Sequence, residues 1–141
     1  MVTSCSVDET KTLSIEKTDE FKQVIIQKVD TEKSIFNFTS EKTSLISEII
    51  ELVNKKSVKR LKDTEGHFNE LKDKSYYSFT FIDEKGEVQD LHPEFAFLIL
   101  EDGTLLYSDQ EREDKQLSLI SIEKHPKVLE DLKKVIDVTK Q

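Results

Sequence analysis

The chain has 141 residues, of which 35% are hydrophobic and 35% charged, and its formal net charge is −8. That length suits one domain with a core of its own, and with only three glycines and two prolines the chain is neither collagen-like, low-complexity nor loop-dominated. The acidic balance argues against nucleic acid as a partner, and a single cysteine, Cys5, excludes an internal disulfide or a thiolate metal cluster.

The first residues are Met1-Val2-Thr3-Ser4-Cys5, and Val2 to Cys5 resembles the lipobox of bacterial lipoproteins, in which the cysteine is lipidated. A mostly polar stretch without period follows, so residues 1–20 are expected to be a lipobox remnant and flexible tether, with Met1 standing in for a removed signal segment. The alternative is that Met1 is the native start of a cytosolic protein. No run approaches the ~18 apolar residues that span a bilayer. Residues 21–141 are expected to form a single domain.

Phe21 to Val29 is β-branched and short, Asp30 to Lys33 reads as a turn, and Ser34 to Phe38 returns, which predicts a hairpin. From Ser40 the apolar positions change to helical spacing: Leu45, Ile46, Ile49, Ile50, Leu52 and Val53. Ser40 or Ser44 is expected to cap this helix, which ends at Lys55 and Lys56. Ser57 to Ser75 loses the pattern at Gly66 and predicts a long polar connection with a helical turn near Asn69 to Lys72.

Tyr76 to Tyr107 holds most of the aromatic residues and organises the fold. Tyr77, Phe79 and Phe81 alternate with Ser78 and Thr80, Gly86 marks a turn, and Glu87 to Leu91 reads as a weaker strand that His92-Pro93 breaks. Phe95 to Leu100 is apolar on both faces, as a central covered strand is, and Asp102-Gly103 signals a hairpin to Thr104–Tyr107. Leu117 to Ile122 reads as a last short strand or as an entry to the closing helix. Pro126 suits the first position of a helix in which Val128, Leu129, Leu132, Val135 and Ile136 share a face and which ends near Val138. The order β-β-α-β-β-β-β-(β)-α predicts an α+β fold: an antiparallel sheet of five to six strands with two amphipathic helices packed on one face.

The chemistry is sparse. His67, His92 and His125 lack the i, i+4 spacing of a helical metal site, and Asp63, Glu65 and Glu70 around His67 read as a solvated polar loop, the alternative being an oxygen-rich cation site. The histidines at 92 and 125 precede prolines, where a turn or cap role suffices. Gly66, Gly86 and Gly103 spell no phosphate-cradling loop, Cys5 has no base beside it, and the acid pairs Asp83/Glu84 and Glu101/Asp102 sit at turns. No catalytic residue, metal or cofactor is expected. Lys55, Lys56, Lys59, Arg60 and Lys62 concentrate positive charge within eight residues of an acidic chain. They define a contact for an anionic surface, or else the solvated end of a helix.

TSEKTSLISEIIELVNKK, the Lys-rich connection, YYSFTFIDEKGEV, FAFLILEDGTLLYS and a closing helix together are similar to small uncharacterised lipoproteins of Gram-positive bacteria. The resemblance implies a cell-surface domain and carries no active-site residues across. The expectation is a monomeric, non-enzymatic binding domain outside the cytoplasm. It would be anchored to the cell membrane only through a lipid on Cys5 and face an unknown protein or cell-envelope partner. The alternative is a cytosolic acidic inhibitor or immunity-type protein that binds a basic partner.

Overall fold

The computed structural model describes residues 10–16, 18–31, 33–61, 64–82, 93–110 and 117–140. Period-two patterning produces β2 (Gln23–Asp30), β3 (Lys33–Ser40), β5 (Ser75–Ile82), β6 (Pro93–Leu100), β7 (Leu105–Ser108) and β8 (Leu117–Ser121). Two further strands, β1 (Thr10–Thr12) and β4 (Ser57–Arg60), complete one antiparallel sheet of eight, ordered β1-β4-β8-β7-β6-β5-β2-β3. The helices are α1 (Thr43–Val53), α2 (Thr64–Leu71) and α3 (Pro126–Lys140), and Thr18–Glu20 forms one 3-10 turn.

The expected sheet of five to six strands with two helices is thus overturned: the described residues hold eight strands and three helices. The additions lack a hydrophobic period. Thr10, Lys11 and Thr12 are all exposed, and β4 buries only Val58. These strands exist because the ladder Thr10↔Lys59, Lys11↔Val58, Thr12↔Ser57 satisfies their backbone groups, extended by a bond from Leu13 N–H to the Lys56 carbonyl. The stretch 57–75 is therefore not a connection but carries β4 and α2. Residues 13–16 are not a tether either, since Leu13 and Ile15 are buried in the main core. The expected strand over Glu87–Leu91 lies outside the described residues.

One sheet face is aromatic. Antiparallel register sets Phe79 opposite Phe97 and Phe81 opposite Phe95, and Phe97 opposite Tyr107 on the next strand. Phe79 and Phe97 stack at 4.7 Å, and Phe21 lies 5.2 Å from Phe81. Over this face pack Leu45, Ile46, Ile49, Ile50 and Val53 of α1 and Val128, Leu129, Leu132 and Ile136 of α3. The opposite face carries a smaller cluster of Leu98, Leu100 and Leu106, covered in part by Leu71 of α2.

Polar bonds fix both helices to the sheet. The Tyr107 hydroxyl, buried, donates to the Val53 carbonyl at 2.8 Å, one of the last four carbonyls that a helix leaves unpaired. Burial pushes that phenol well above its usual range, so it stays a donor. No side chain caps the start of α1, contrary to the Ser40 and Ser44 expectation: Lys42 takes the cap position, and Ser40 Oγ accepts the Lys42 N–H from outside the helix.

At α3 the anchor is Gly103. Its carbonyl accepts the His125 N–H at 2.8 Å, and its φ of +92° closes the turn from Leu100. A β-carbon there would sit 2.6 Å from the backbone of His125 and Pro126. Gly103→Ala therefore meets both left-handed strain and a backbone clash, and is expected to cost well over ~1 kcal/mol, read as a lower urea midpoint at unchanged slope.

Candidate binding groove and sheet edges

α1 and α3 both direct their apolar stripes at the sheet, which leaves their flanks to meet each other. Between them runs a groove of about 530 Å³, lined by Leu45, Glu48, Glu51 and Leu52 of α1 and Asp131, Lys134, Val135 and Val138 of α3. Leu52 and Val135 are half-buried against the main core, while Val138 stands 74% exposed at the end of α3. Glu48 and Glu51 are exposed, and Asp131 holds Lys127 at 3.0 Å one turn away. A second hollow of about 410 Å³ on the other flank of α1 shares Glu51 and adds Ile15, Ile46, Ile50 and Lys55. An apolar floor with a carboxylate rim is the result.

Neither helix pattern reveals this groove by itself. The residues between the buried stripe and the solvent face were visible in both sequences, but only the fold makes the two helices neighbours.

The expected cation cluster is divided among separate tasks. Lys55 adopts φ +62° after α1 and its ammonium donates to Ser14 Oγ at 3.1 Å. Lys59 and Arg60 are consecutive on β4 and so point to opposite faces. The Arg60 guanidinium lies 3.1 Å from the Asp109 carboxylate, which is 2% exposed. Lys56 is half-buried, its backbone carbonyl bonded to Leu13 N–H. Lys62 and Cys5 lie outside the described residues, and so does His92, while the His67 side chain is likewise not described. Nearby, Gln110 and Glu16 exchange two bonds: the Gln110 amide donates to the Glu16 carbonyl at 3.0 Å and accepts the Glu16 N–H at 2.9 Å. That exchange fastens the chain after β1 to the end of β7.

His125 precedes α3 as expected and its N–H is used by Gly103. Its Nε2 is buried without a hydrogen-bond partner. Burial and then the Lys56 charge depress its pKa, against a smaller opposing pull from Glu123. Among the described residues no group of three His, Cys, Asp or Glu side chains is arranged to hold a metal ion. The sheet ends in edges of unequal length: β1 spans three residues, β3 spans eight.

Arg60→Ala leaves the buried Asp109 carboxylate without its guanidinium. Because Arg60 is 46% exposed and water screens the pair, the expected loss is about 1 kcal/mol in chemical denaturation. Lys55→Ala, which removes an exposed bond, stays within ~0.5 kcal/mol. Comparison with known protein families, with curated proteins and with solved structures found no match to this chain.

Proposed function

We propose that this protein is a non-enzymatic, membrane-tethered binding domain outside the cytoplasm, and that its α1–α3 groove receives a basic segment of a partner polypeptide. The observation that supports the reading is the composition of the groove. Leu45, Leu52, Val135 and Val138 offer an apolar floor, and Glu48, Glu51 and Asp131 outnumber Lys134 on the rim. A helix or loop with one apolar face and flanking Lys or Arg side chains complements both features. The net charge of −8 extends the attraction beyond the groove and favours fast encounter with a basic partner. Support for the tether is the Val2-Thr3-Ser4-Cys5 sequence, and the partner class holds whether or not the chain is tethered.

The two parts are tested apart. A fluorescent, lysine-rich amphipathic helical peptide serves as the probe of the groove. Glu48→Lys/Glu51→Lys is expected to weaken its binding at least tenfold in anisotropy titrations at ~0.15 M salt, whereas Lys74→Glu, remote from the groove, leaves it unchanged. Equal affinities would remove the groove from the reading. For the tether, mass spectrometry of the full-length protein expressed in a Gram-positive host is expected to find Cys5 carrying a diacylglyceryl group. An unmodified Cys5 with Met1 retained would leave the same groove to the alternative, an acidic cytosolic inhibitor of a basic partner.

A further inference from the structure

β3 ends the strand order, is eight residues long and lies almost wholly exposed or half-buried. Long edges of this kind are usually blunted, because a row of outward backbone groups invites another strand. Here the blunting is slight. β3 contains no proline and one charge, Lys33, at its very start, and a bulge at Ile35 interrupts its pairing with β2 between Ser34 and Phe36. Ile35 is 58% exposed as a result. The opposite edge, β1, is too short to offer a comparable ladder.

The sequence of this edge says which strand fits it. Around Asn37 the residues run Lys33-Ser34-Ile35-Phe36, then Phe38-Thr39-Ser40-Glu41. Laid antiparallel against itself about Asn37, the edge places Phe36 opposite Phe38, Ile35 opposite Thr39, Ser34 opposite Ser40 and Lys33 opposite Glu41. Every position meets its own kind or its opposite charge: aromatic with aromatic, β-branched with β-branched, hydroxyl with hydroxyl, ammonium with carboxylate. The pattern continues in the sequence to Glu32 and Lys42. A two-fold axis requires just this self-complementarity, since each contact occurs twice with the partners exchanged.

The geometry of the edge agrees with the pattern. Phe36 and Phe38 lie on the helix side of the sheet, 6.0 Å apart and half-buried, with Tyr77 6.2 Å from Phe36. A second copy would continue that aromatic shelf across the axis, and cross-strand aromatic pairs are among the contacts that stabilise sheets most. Lys33 and Glu41 are both exposed, at opposite ends of the edge, and Glu41 Oε1 accepts a hydrogen bond from the Gln23 amide at 3.2 Å. We therefore infer that this protein forms a two-fold dimer in which β3 of one copy pairs antiparallel with β3 of another, centred on Asn37. The occupant of the edge is a second copy of this chain, and the two sheets become one. The bulge at Ile35 keeps the regular ladder short, so the association is reversible. This assembly is separate from the α1–α3 groove and differs from the monomer that the sequence led us to expect.

The test uses the full chain with Cys5→Ser, so that the native thiol plays no part. On the axis, the Cα atoms of the two Asn37 residues are about 5 Å apart, within disulfide reach, whereas the two Lys33 residues lie about 27 Å apart along the ladder. Asn37→Cys is expected to give a covalent dimer on mild oxidation at least tenfold faster than Lys33→Cys. Both positions are exposed, so neither substitution burdens the fold. In sedimentation equilibrium, Lys33→Glu should weaken the dimer about tenfold, and Lys33→Glu/Glu41→Lys should restore it. Equal cross-linking at the two sites would overturn the inference. So would a monomer at all concentrations, or failure of the double exchange to restore association.

Discussion

The aromatic face of the central strands is the constraint on which the other features depend. Phe79 stacks on Phe97 because β5 and β6 run antiparallel in one register, and the same register puts Phe81 beside Phe95. A slip of one residue would turn all of these rings to the opposite face, away from the apolar stripes of α1 and α3. The register is therefore held by side-chain burial as well as by backbone bonds. From that face the helices take their positions: Tyr107, itself part of the aromatic row, holds the end of α1 through the Val53 carbonyl. Gly103, in the turn that joins β6 to β7, holds the start of α3 through His125. The groove between α1 and α3 is thus set by two polar bonds, one from β7 and one from the turn that precedes it.

What could be read from the sequence follows this division. The strands that face the core alternate clearly, and α1 and α3 show their helical stripes, because burial imposes a period on each of them. Pro126 does open α3. The elements that escaped are those whose existence depends on neighbours: β1 and β4 are strands by virtue of their ladder, and α2 meets the smaller cluster through Leu71. For the same reason the cations at 55, 56, 59 and 60 looked like one patch in sequence. Strand alternation at β4 and the attraction of buried Asp109 for Arg60 then distribute them. The groove residues were each visible as helix flanks, yet a sequence does not state which helices touch.

The edge strand is the opposite case, a feature whose chemistry is written in the sequence and whose meaning is not. The symmetry of Lys33 to Glu41 about Asn37 can be found without a structure. It becomes an argument only once β3 is known to end the sheet, since in a central strand both sides are already paired and self-complementarity has no consequence. β2 is that central neighbour here, bonded to β3 on one side and β5 on the other.

The order of the strands also relates the two proposed attachments. β1 lies at one end of the sheet and β3 at the other, separated by the six strands between them. At ~4.8 Å per strand spacing the two edges are about 34 Å apart measured along the sheet. Cys5 precedes β1 by a few residues, a reach of at most ~18 Å for extended chain. A lipid on Cys5 would therefore hold the β1 edge near the bilayer. Because a β3–β3 pair continues the sheet, both tethers of a dimer reach one bilayer when the joined sheet lies along the membrane plane, with the β3 edges meeting between them. Confinement of both copies to a membrane plane raises their effective concentration, so even the short ladder allowed by the Ile35 bulge becomes populated. Two tethers joined by one dimer also supply the second anchor that a weakly held acyl chain requires.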